Sequence, residues 1–201
     1  MTRIVGIYLF DNVEVLDFAG PFEVFSTARR MALRLEPQSA PLFEVVTIAD
    51  APRPVFARAG LTVLPRHGIT GHPPLDILLV PGGVVTAELE RDHIIRWIER
   101  TAAAAEITAS VCTGAFLLAR AGLLAGRPAT THWEDIPDLQ QMFPDVAVQP
   151  DARWVDTGPV VTAAGISAGI DMSLHLVARL HGAALAQKTA RQMEFDWRPA
   201  P

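Results

Sequence analysis

The sequence predicts an α/β fold in which a parallel or mixed sheet carries helices on both faces. Two observations support this: strand-like runs alternate with stretches of helical periodicity along the chain, and the first run, residues 4–10, is almost continuously apolar. Such uninterrupted apolar runs are typical of parallel strands that are buried on both faces. A chain of 201 residues, half of them apolar, can build one sizeable core. We therefore expect a single domain over residues 1–201.

In the first half of the chain, strand-like runs at residues 4–10 and 43–48 flank a helical pattern. Pro21 can start that helix as its first residue, because the fixed φ of proline suits this position. After the second run, Val55-Phe56 and residues 61–64 predict a short hairpin at the sheet edge.

The middle of the chain predicts two more buried strands, each followed by a helix. The run at 76–80 ends at Pro81-Gly82-Gly83, and Thr86 can cap the helix that follows, whose apolar face extends to Ala102. The run at 107–111 ends at Cys112, and a helical pattern leaves it toward Gly122.

The last third predicts short strands and further helices. Asp156-Thr157-Gly158 favours a hairpin between two of the strands, and Ser167 can cap the penultimate helix. The predicted strands are 129–133, 146–148, 154–156 and 160–163, and the predicted helices are 135–142, 167–180 and 183–193.

Cys112 is the single cysteine, and it lies between a predicted strand and a predicted helix. Ser110-Val111-Cys112-Thr113-Gly114 resembles the G-x-S-x-G nucleophile elbow, with serine for the first glycine and cysteine for the nucleophile. A helix N-terminus can lower a cysteine pKa from ~8.5 to roughly 3.5–7.5, so we expect a thiolate here. The alternative is a small buried hydrophobe without chemistry.

Three loops at the carboxyl ends of predicted strands are the expected ligand site of an open α/β sheet. One contains Asp17, which can exchange a proton with Cys112 or simply cap the helix at Pro21. Another contains Gly82 and Gly83, whose backbone N–H groups can stabilise an oxyanion together with that of Thr113, or can form an ordinary turn. The third is the Cys112 elbow.

Histidines add one candidate and argue against a metal site. His132 lies in a strand-like stretch near the elbow in sequence. It can be a catalytic residue, or a buried histidine that hydrogen-bonds to the backbone. No histidine pair has the i,i+4 spacing of a helical zinc site, and no second cysteine is present. Neither a P-loop nor a G-x-G-x-x-G motif occurs, so we expect no cofactor and no metal.

Charge and hydropathy exclude several other classes of partner. The net charge is −5, and the 17 basic residues are scattered, which argues against nucleic-acid binding. Charged residues interrupt the longest apolar segments, so we expect no membrane span. A single cysteine and an N-terminus without a signal-peptide pattern favour a cytoplasmic protein.

The order of motifs resembles the ThiJ/PfpI superfamily over nearly the whole chain. The motifs are Leu16-Asp17-Phe18-Ala19-Gly20-Pro21, Val80-Pro81-Gly82-Gly83, Ser110-Val111-Cys112-Thr113-Gly114-Ala115, Ala129-Thr130-Thr131-His132-Trp133 and Gly165-Ile166-Ser167-Ala168-Gly169-Ile170-Asp171. The most similar branches are isocyanide hydratase and the amidotransferase-like domains of AraC-type regulators. The resemblance implies a flavodoxin-like sheet, a cysteine nucleophile elbow and a homodimer with its site near the subunit interface.

Carried onto this chain, the resemblance makes Cys112 the nucleophile and Asp17 its acid/base partner. Thr113 would hydrogen-bond at the site and Gly83 would donate its amide, while Gly82, His132 and Ile166 are expected to line the site. The implied reaction converts a small isocyanide to an N-substituted formamide without a cofactor. The peptidase members have a histidine directly after the cysteine, where this chain has Thr113, which argues against peptidase chemistry.

Two other functions remain open at this stage. One is a small-molecule or redox sensor related to the regulator domains, without turnover. The regulators carry roughly a hundred further residues with a helix-turn-helix, and the sequence ends at Pro201. The other is glyoxalase-like or amidase-like activity, although members with glyoxalase activity have glutamate where this chain has Asp17.

Overall fold

The central feature of the computed structural model is a seven-stranded sheet. The structure describes residues 1–197 and 199. The strands are β1 (Arg3–Tyr8), β2 (Phe43–Ala49), β3 (Val55–Phe56), β4 (Thr62–Val63), β5 (His67–Gly68), β6 (Ile77–Val80), β7 (Ile107–Val111), β8 (Pro128–Ala129), β9 (Ala147–Val148), β10 (Trp154–Asp156) and β11 (Val160–Ala163). The helices are α1 (Val15–Leu35), α2 (Thr86–Leu89), α3 (Asp92–Ala104), α4 (Gly114–Arg120), α5 (Ile136–Met142), α6 (Ala168–His181) and α7 (Ala183–Gln192).

The order of the sheet is β10-β11-β7-β6-β1-β2-β5, and every neighbouring pair except β10–β11 is parallel. The predicted α/β class, with a mixed sheet and helices on both sides, is therefore confirmed. All residues of β6, β7 and β11 are buried, as expected for strands covered on both faces. Because β1, β6 and β7 run in parallel, Tyr8, Val80 and Val111 end at one edge of the sheet.

The largest correction concerns α1, which begins at Val15 rather than at Pro21. Pro21 lies inside the helix, where it has no N–H to donate to the carbonyl of Asp17. Tertiary packing overrides this cost, since Phe18, Gly20 and Pro21 are buried. A Cβ on Gly20 would lie 2.8 Å from Cγ1 of Ile170, which shows how closely α1 packs against α6.

Smaller differences concern short elements. The helix expected from Thr86 onward is divided into α2 and α3, and the expected strand at 129–133 is reduced to β8 followed by a 3₁₀ turn. The hairpin of β3 and β4 forms, but as a separate two-stranded sheet rather than at the edge of the main one. The edge is instead β5, in a loop that the sequence did not mark as a strand.

No described helix combines the length and the apolar character needed to cross a membrane.

Candidate active site

Cys112 lies on a sharp turn between β7 and α4 and has a left-handed backbone with φ of 55°. This conformation is unfavourable for a residue with a Cβ, so the surroundings must hold it in place. The Cys112 N–H donates to the carbonyls of Ala163 and Ala164, each at 3.1 Å, and the Cys112 carbonyl accepts from Thr131 Oγ1 at 2.8 Å. A strand-to-helix turn with a strained cysteine is the geometry that the sequence pattern predicted.

Gly114 makes this turn possible because it lets α4 approach β6 closely. A Cβ at this position would lie 2.1 Å from the carbonyl oxygen of Val80, which is backbone and cannot rotate away. The glycine that completes the elbow pattern therefore has a steric role, and the chain can turn directly from β7 into α4.

Asp17 lies in the first turn of α1 and has no exposed surface. Its Oδ2 accepts a 3.0 Å hydrogen bond from the Gly82 N–H, contributed by the loop after β6. Its Oδ1 has no partner at hydrogen-bond geometry among the described residues. The alternative in which Asp17 caps a helix at Pro21 is wrong, because Glu14 occupies the N-cap of α1 and the Asp17 carboxylate points to another segment.

Burial controls the protonation of both groups. It raises the pKa of Asp17 to about 7, although the Gly82 N–H and an interaction with the Cys112 thiol lower it. Burial and the nearby Asp17 charge raise the pKa of Cys112 to about 12, against hydrogen bonds from Thr113 that favour the thiolate. Burial thus opposes the thiolate expected at neutral pH, because the desolvation of Cys112 outweighs the effect of the short helix α4. The pair instead carries a thiol beside a carboxyl that titrates near neutrality.

Thr113 and Gly83 are joined by two contacts. The Gly83 N–H donates to Thr113 Oγ1 at 2.9 Å, and the Thr113 hydroxyl donates to the Gly83 carbonyl oxygen at 2.9 Å. The Gly83 amide, expected to serve an oxyanion, is thus engaged by Thr113 in this structure. Gly83 has φ of 139°, and a Cβ there would lie 2.3 Å from the Asn12 carbonyl oxygen, so this position requires glycine.

A cavity of about 190 Å³ opens onto the elbow. It is lined by Glu14, Arg58, Gly83, Cys112, Thr113, His132, Glu134, Asp135 and Ile166. Among the residues predicted from the sequence, His132 and Ile166 thus share this cavity with Cys112. Gly82 and Asp17 lie beside it, since a Cβ on Gly82 would be 2.6 Å from the Thr113 nitrogen and 2.9 Å from Asp17 Oδ2.

His132 and Ile166 form part of the cavity wall in a constrained arrangement. The His132 Nδ1 accepts from the Glu134 N–H at 3.3 Å, and the ring packs against Gly165, where a Cβ would lie 2.0 Å from its Cδ2. Ile166 has φ of 50°, which is rare for a β-branched residue. Two strained residues, Cys112 and Ile166, therefore face one cavity, a clustering that is typical of functional sites.

Four charged residues of the cavity were missed at the sequence level: Glu14, Arg58, Glu134 and Asp135. Glu134 and Asp135 directly follow the His132-Trp133 motif, so proximity in sequence was an available signal. Arg58 lies just after β3, and no local sequence pattern identifies it as a site residue. Only tertiary folding brings its Nη1 within 3.4 Å of Glu14 Oε2.

Within residues 1–197 and 199, no group of three or more histidine, cysteine, aspartate or glutamate side chains is placed to share a metal ion.

The fold and this site together define a class of protein: an α/β domain with a cysteine on a strand-to-helix elbow and a buried carboxyl beside it. The DJ-1/PfpI family model matches residues 3–179, and the chain belongs to this family. A crystal structure of a ThiJ/PfpI family protein from Pseudomonas syringae superimposes with a TM-score of 0.85 and 27% identity, covering 99% of this chain and 77% of that one.

Two curated relatives of similar identity have different functions. The isonitrile hydratase of Pseudomonas putida is 34% identical over 98% of this chain and 79% of its own length. The HTH-type transcriptional regulator GbdR of Pseudomonas aeruginosa is 32% identical over 96% of this chain, but the chain spans half of that regulator. The family thus includes an enzyme and regulators at comparable identity to this chain.

Proposed function

We propose that this protein is a cysteine-dependent hydratase that converts a small isocyanide, R–NC, to an N-substituted formamide. The observation that carries the proposal is Asp17, a fully buried carboxyl beside Cys112 whose pKa is raised to about 7. A group that titrates near neutrality can both accept and return a proton, which is the property that this addition requires. The similarity to isonitrile hydratase supports the same chemistry.

In the first step, the Cys112 sulfur attacks the terminal carbon of the isocyanide. As the S–C bond forms, the thiol proton passes to ionised Asp17, which compensates for the high pKa of the thiol. Asp17 then delivers this proton to the attacked carbon, and the product is a thioimidate on the cysteine, R–N=CH–S–Cys112. The net change is the addition of S–H across one carbon atom.

In the second step, water adds to the thioimidate carbon and the C–S bond breaks. One water hydrogen ends on nitrogen and the other on the Cys112 sulfur, so the thiol is regenerated and R–NH–CHO leaves. Asp17, again ionised, is the base that accepts a proton from the water. The backbone N–H of Thr113 interacts with the Cys112 sulfur and favours its thiolate form when the C–S bond breaks. The engaged Gly83 amide could serve the substrate only if its bond to Thr113 opened.

The decisive experiment follows formamide formation from a panel of alkyl and aryl isocyanides. We expect Cys112→Ala and Asp17→Asn each to reduce turnover by at least ~10²-fold, the usual contribution of a general acid–base group. Glu23→Gln is the matched control, since Glu23 lies on α1 but is half-exposed and outside the cavity. No turnover of any isocyanide by the wild-type protein would exclude the hydratase function.

A second candidate is a sensor that uses the same cavity without turnover, and the match to GbdR over 96% of this chain favours it specifically. Here calorimetry with isocyanides and formamides should show binding that persists in Cys112→Ala. Loss of binding in that variant counts against the sensor. A redox sensor would instead require selective oxidation of Cys112 by peroxide, detected by mass spectrometry. Glyoxalase-like or amidase-like turnover is tested with the corresponding small substrates.

We further propose that the protein is a cytoplasmic homodimer that does not bind nucleic acid. Support for the dimer comes from α1, where the apolar side chains of Leu16 and Phe22 are 38% and 39% exposed. The net charge of −5 supports the absence of nucleic-acid binding. Light scattering after gel filtration and a DNA mobility-shift assay test these two statements.

A further inference from the structure

Glu14 and Arg58 face each other on the wall of the Cys112 cavity, and their side chains form an ion pair with Arg58 Nη1 3.4 Å from Glu14 Oε2. Glu14 is the N-cap of α1, three residues before Asp17. Arg58 comes from the loop between β3 and β4, which contributes no other residue to the cavity lining.

The backbone of each residue is held independently of the ion pair. The Glu14 N–H donates to the Gly82 carbonyl at 2.8 Å, so Glu14 is tied to the same loop that holds Asp17. The Arg58 N–H donates to the Val13 carbonyl at 3.0 Å. A partly exposed pair adds little stability, yet the backbone keeps both charges at the cavity.

We propose that Glu14 and Arg58 are positioning residues whose opposed charges set where the proton of the Cys112–Asp17 pair resides. The inference rests on the proposed pairing of Cys112 with Asp17, but it does not depend on an isocyanide being the substrate. Neither Glu14 nor Arg58 is required to touch the reacting atoms.

The physical argument is that Asp17 has no exposed surface, so water screens it little from fixed charges nearby. Beyond the dominant effect of burial and the hydrogen bond from Gly82, Glu14 raises the pKa of Asp17 and Arg58 lowers it. Further charged or titratable groups line the same cavity: Cys112 on the elbow, and His132, Glu134 and Asp135. Of these, Asp135 raises the pKa of Cys112.

The test measures the rate at which iodoacetamide alkylates Cys112 across pH in the full-length protein. Because ionised Asp17 can accept the thiol proton, the rate should rise through the first apparent pKa of the pair. Glu14→Gln removes a negative charge and should move this inflection to lower pH. Arg58→Gln removes a positive charge and should move it to higher pH. Each shift should be about half a unit, the order expected for one elementary charge that acts through a partly hydrated cavity.

Controls separate charge from structure. Arg58→Lys should keep the wild-type inflection, and the Glu14→Gln/Arg58→Gln double variant should return close to it. Arg53→Gln should not shift the profile, since Arg53 pairs with Asp11 and lies outside the cavity. Unchanged inflections in both single variants, shifts in the same direction, or a shift in Arg58→Lys equal to that in Arg58→Gln would each overturn the inference.

Asp17→Asn distinguishes this failure from failure of the proposed function. If the first inflection survives in Asp17→Asn, Asp17 is not the group that titrates, and the proposed Cys112–Asp17 chemistry fails. If the inflection disappears in Asp17→Asn while Glu14→Gln and Arg58→Gln leave it unmoved in the wild-type background, only the role of the ion pair is refuted.

Discussion

Substitution of Gly82 by alanine should damage the site more than its single added carbon suggests. A Cβ at Gly82 would lie 2.6 Å from both the backbone nitrogen and Oγ1 of Thr113, and 2.9 Å from Asp17 Oδ2. Ordinary van der Waals contact begins at 3.4 Å, so the Thr113 backbone and the Gly82 loop must separate by about 0.8 Å. The Thr113 nitrogen is backbone, and no side-chain rotation can relieve that clash.

The expected magnitudes follow from this displacement. Overpacking of this kind costs about 1–3 kcal/mol, which lowers Tm by about 2–12 °C in a protein of this size. The same movement stretches the 3.0 Å bond from the Gly82 N–H to Asp17, and this bond lowers the pKa of Asp17. The pKa of Asp17 should therefore rise above its value of about 7. A misplacement near 1 Å can reduce turnover by about 10²-fold.

The assays are thermal unfolding, the pH profile of Cys112 alkylation, and isocyanide turnover. Gly71→Ala is the matched control, because a Cβ at Gly71 would meet nothing within 4 Å and should change stability by less than about 0.5 kcal/mol. If Gly82→Ala behaves like Gly71→Ala in both Tm and alkylation profile, the close approach of Gly82 to Thr113 and Asp17 does not organise the site.

Three further predictions concern stability and the cavity wall. The pKa of Asp17 is raised from 3.8 to about 7 in the folded protein, so the folded protein keeps a proton that the unfolded chain loses between these pH values. The free energy of unfolding of the wild type should therefore fall by up to about 4 kcal/mol relative to that of Asp17→Asn as pH rises from ~4 to ~7. A pH-independent difference between the two proteins in urea unfolding would refute this. Tyr8→Phe removes the hydroxyl that donates to buried Glu88, and should cost about 1–3 kcal/mol in urea unfolding, whereas no loss would mean that Glu88 is satisfied without it. Gly165→Ala places a Cβ 2.0 Å from Cδ2 of His132, and should raise KM for the substrate more than it lowers kcat, while unchanged kinetics would exclude His132 as a constraint on the cavity.

Much of the fold was predictable because its signals are local. Continuous apolar runs identified β1 and β6, since strands buried on both faces have no polar side to interrupt the pattern. A run of β-branched and small residues identified β7. The elbow was also visible locally, because the turn requires Gly114 two residues after Cys112. The start of α1 was not predictable in this way, since Pro21 is tolerated inside the helix only through its packing.

The sequence by itself determined the α/β class, the elbow at Cys112 and the set of loops that could meet there, because these follow from periodicity and turn chemistry. The tertiary structure decided which hydrogen bonds and charges surround those residues, and therefore their protonation. It joined Asp17 to the Gly82 amide across 65 residues of chain, engaged the Gly83 amide with Thr113, and brought Arg58 to the cavity. It also buried Cys112 beside the Asp17 carboxyl, which opposes the expected thiolate. The physical reason is that a pKa depends on desolvation and on charges from distant segments, which no local pattern encodes.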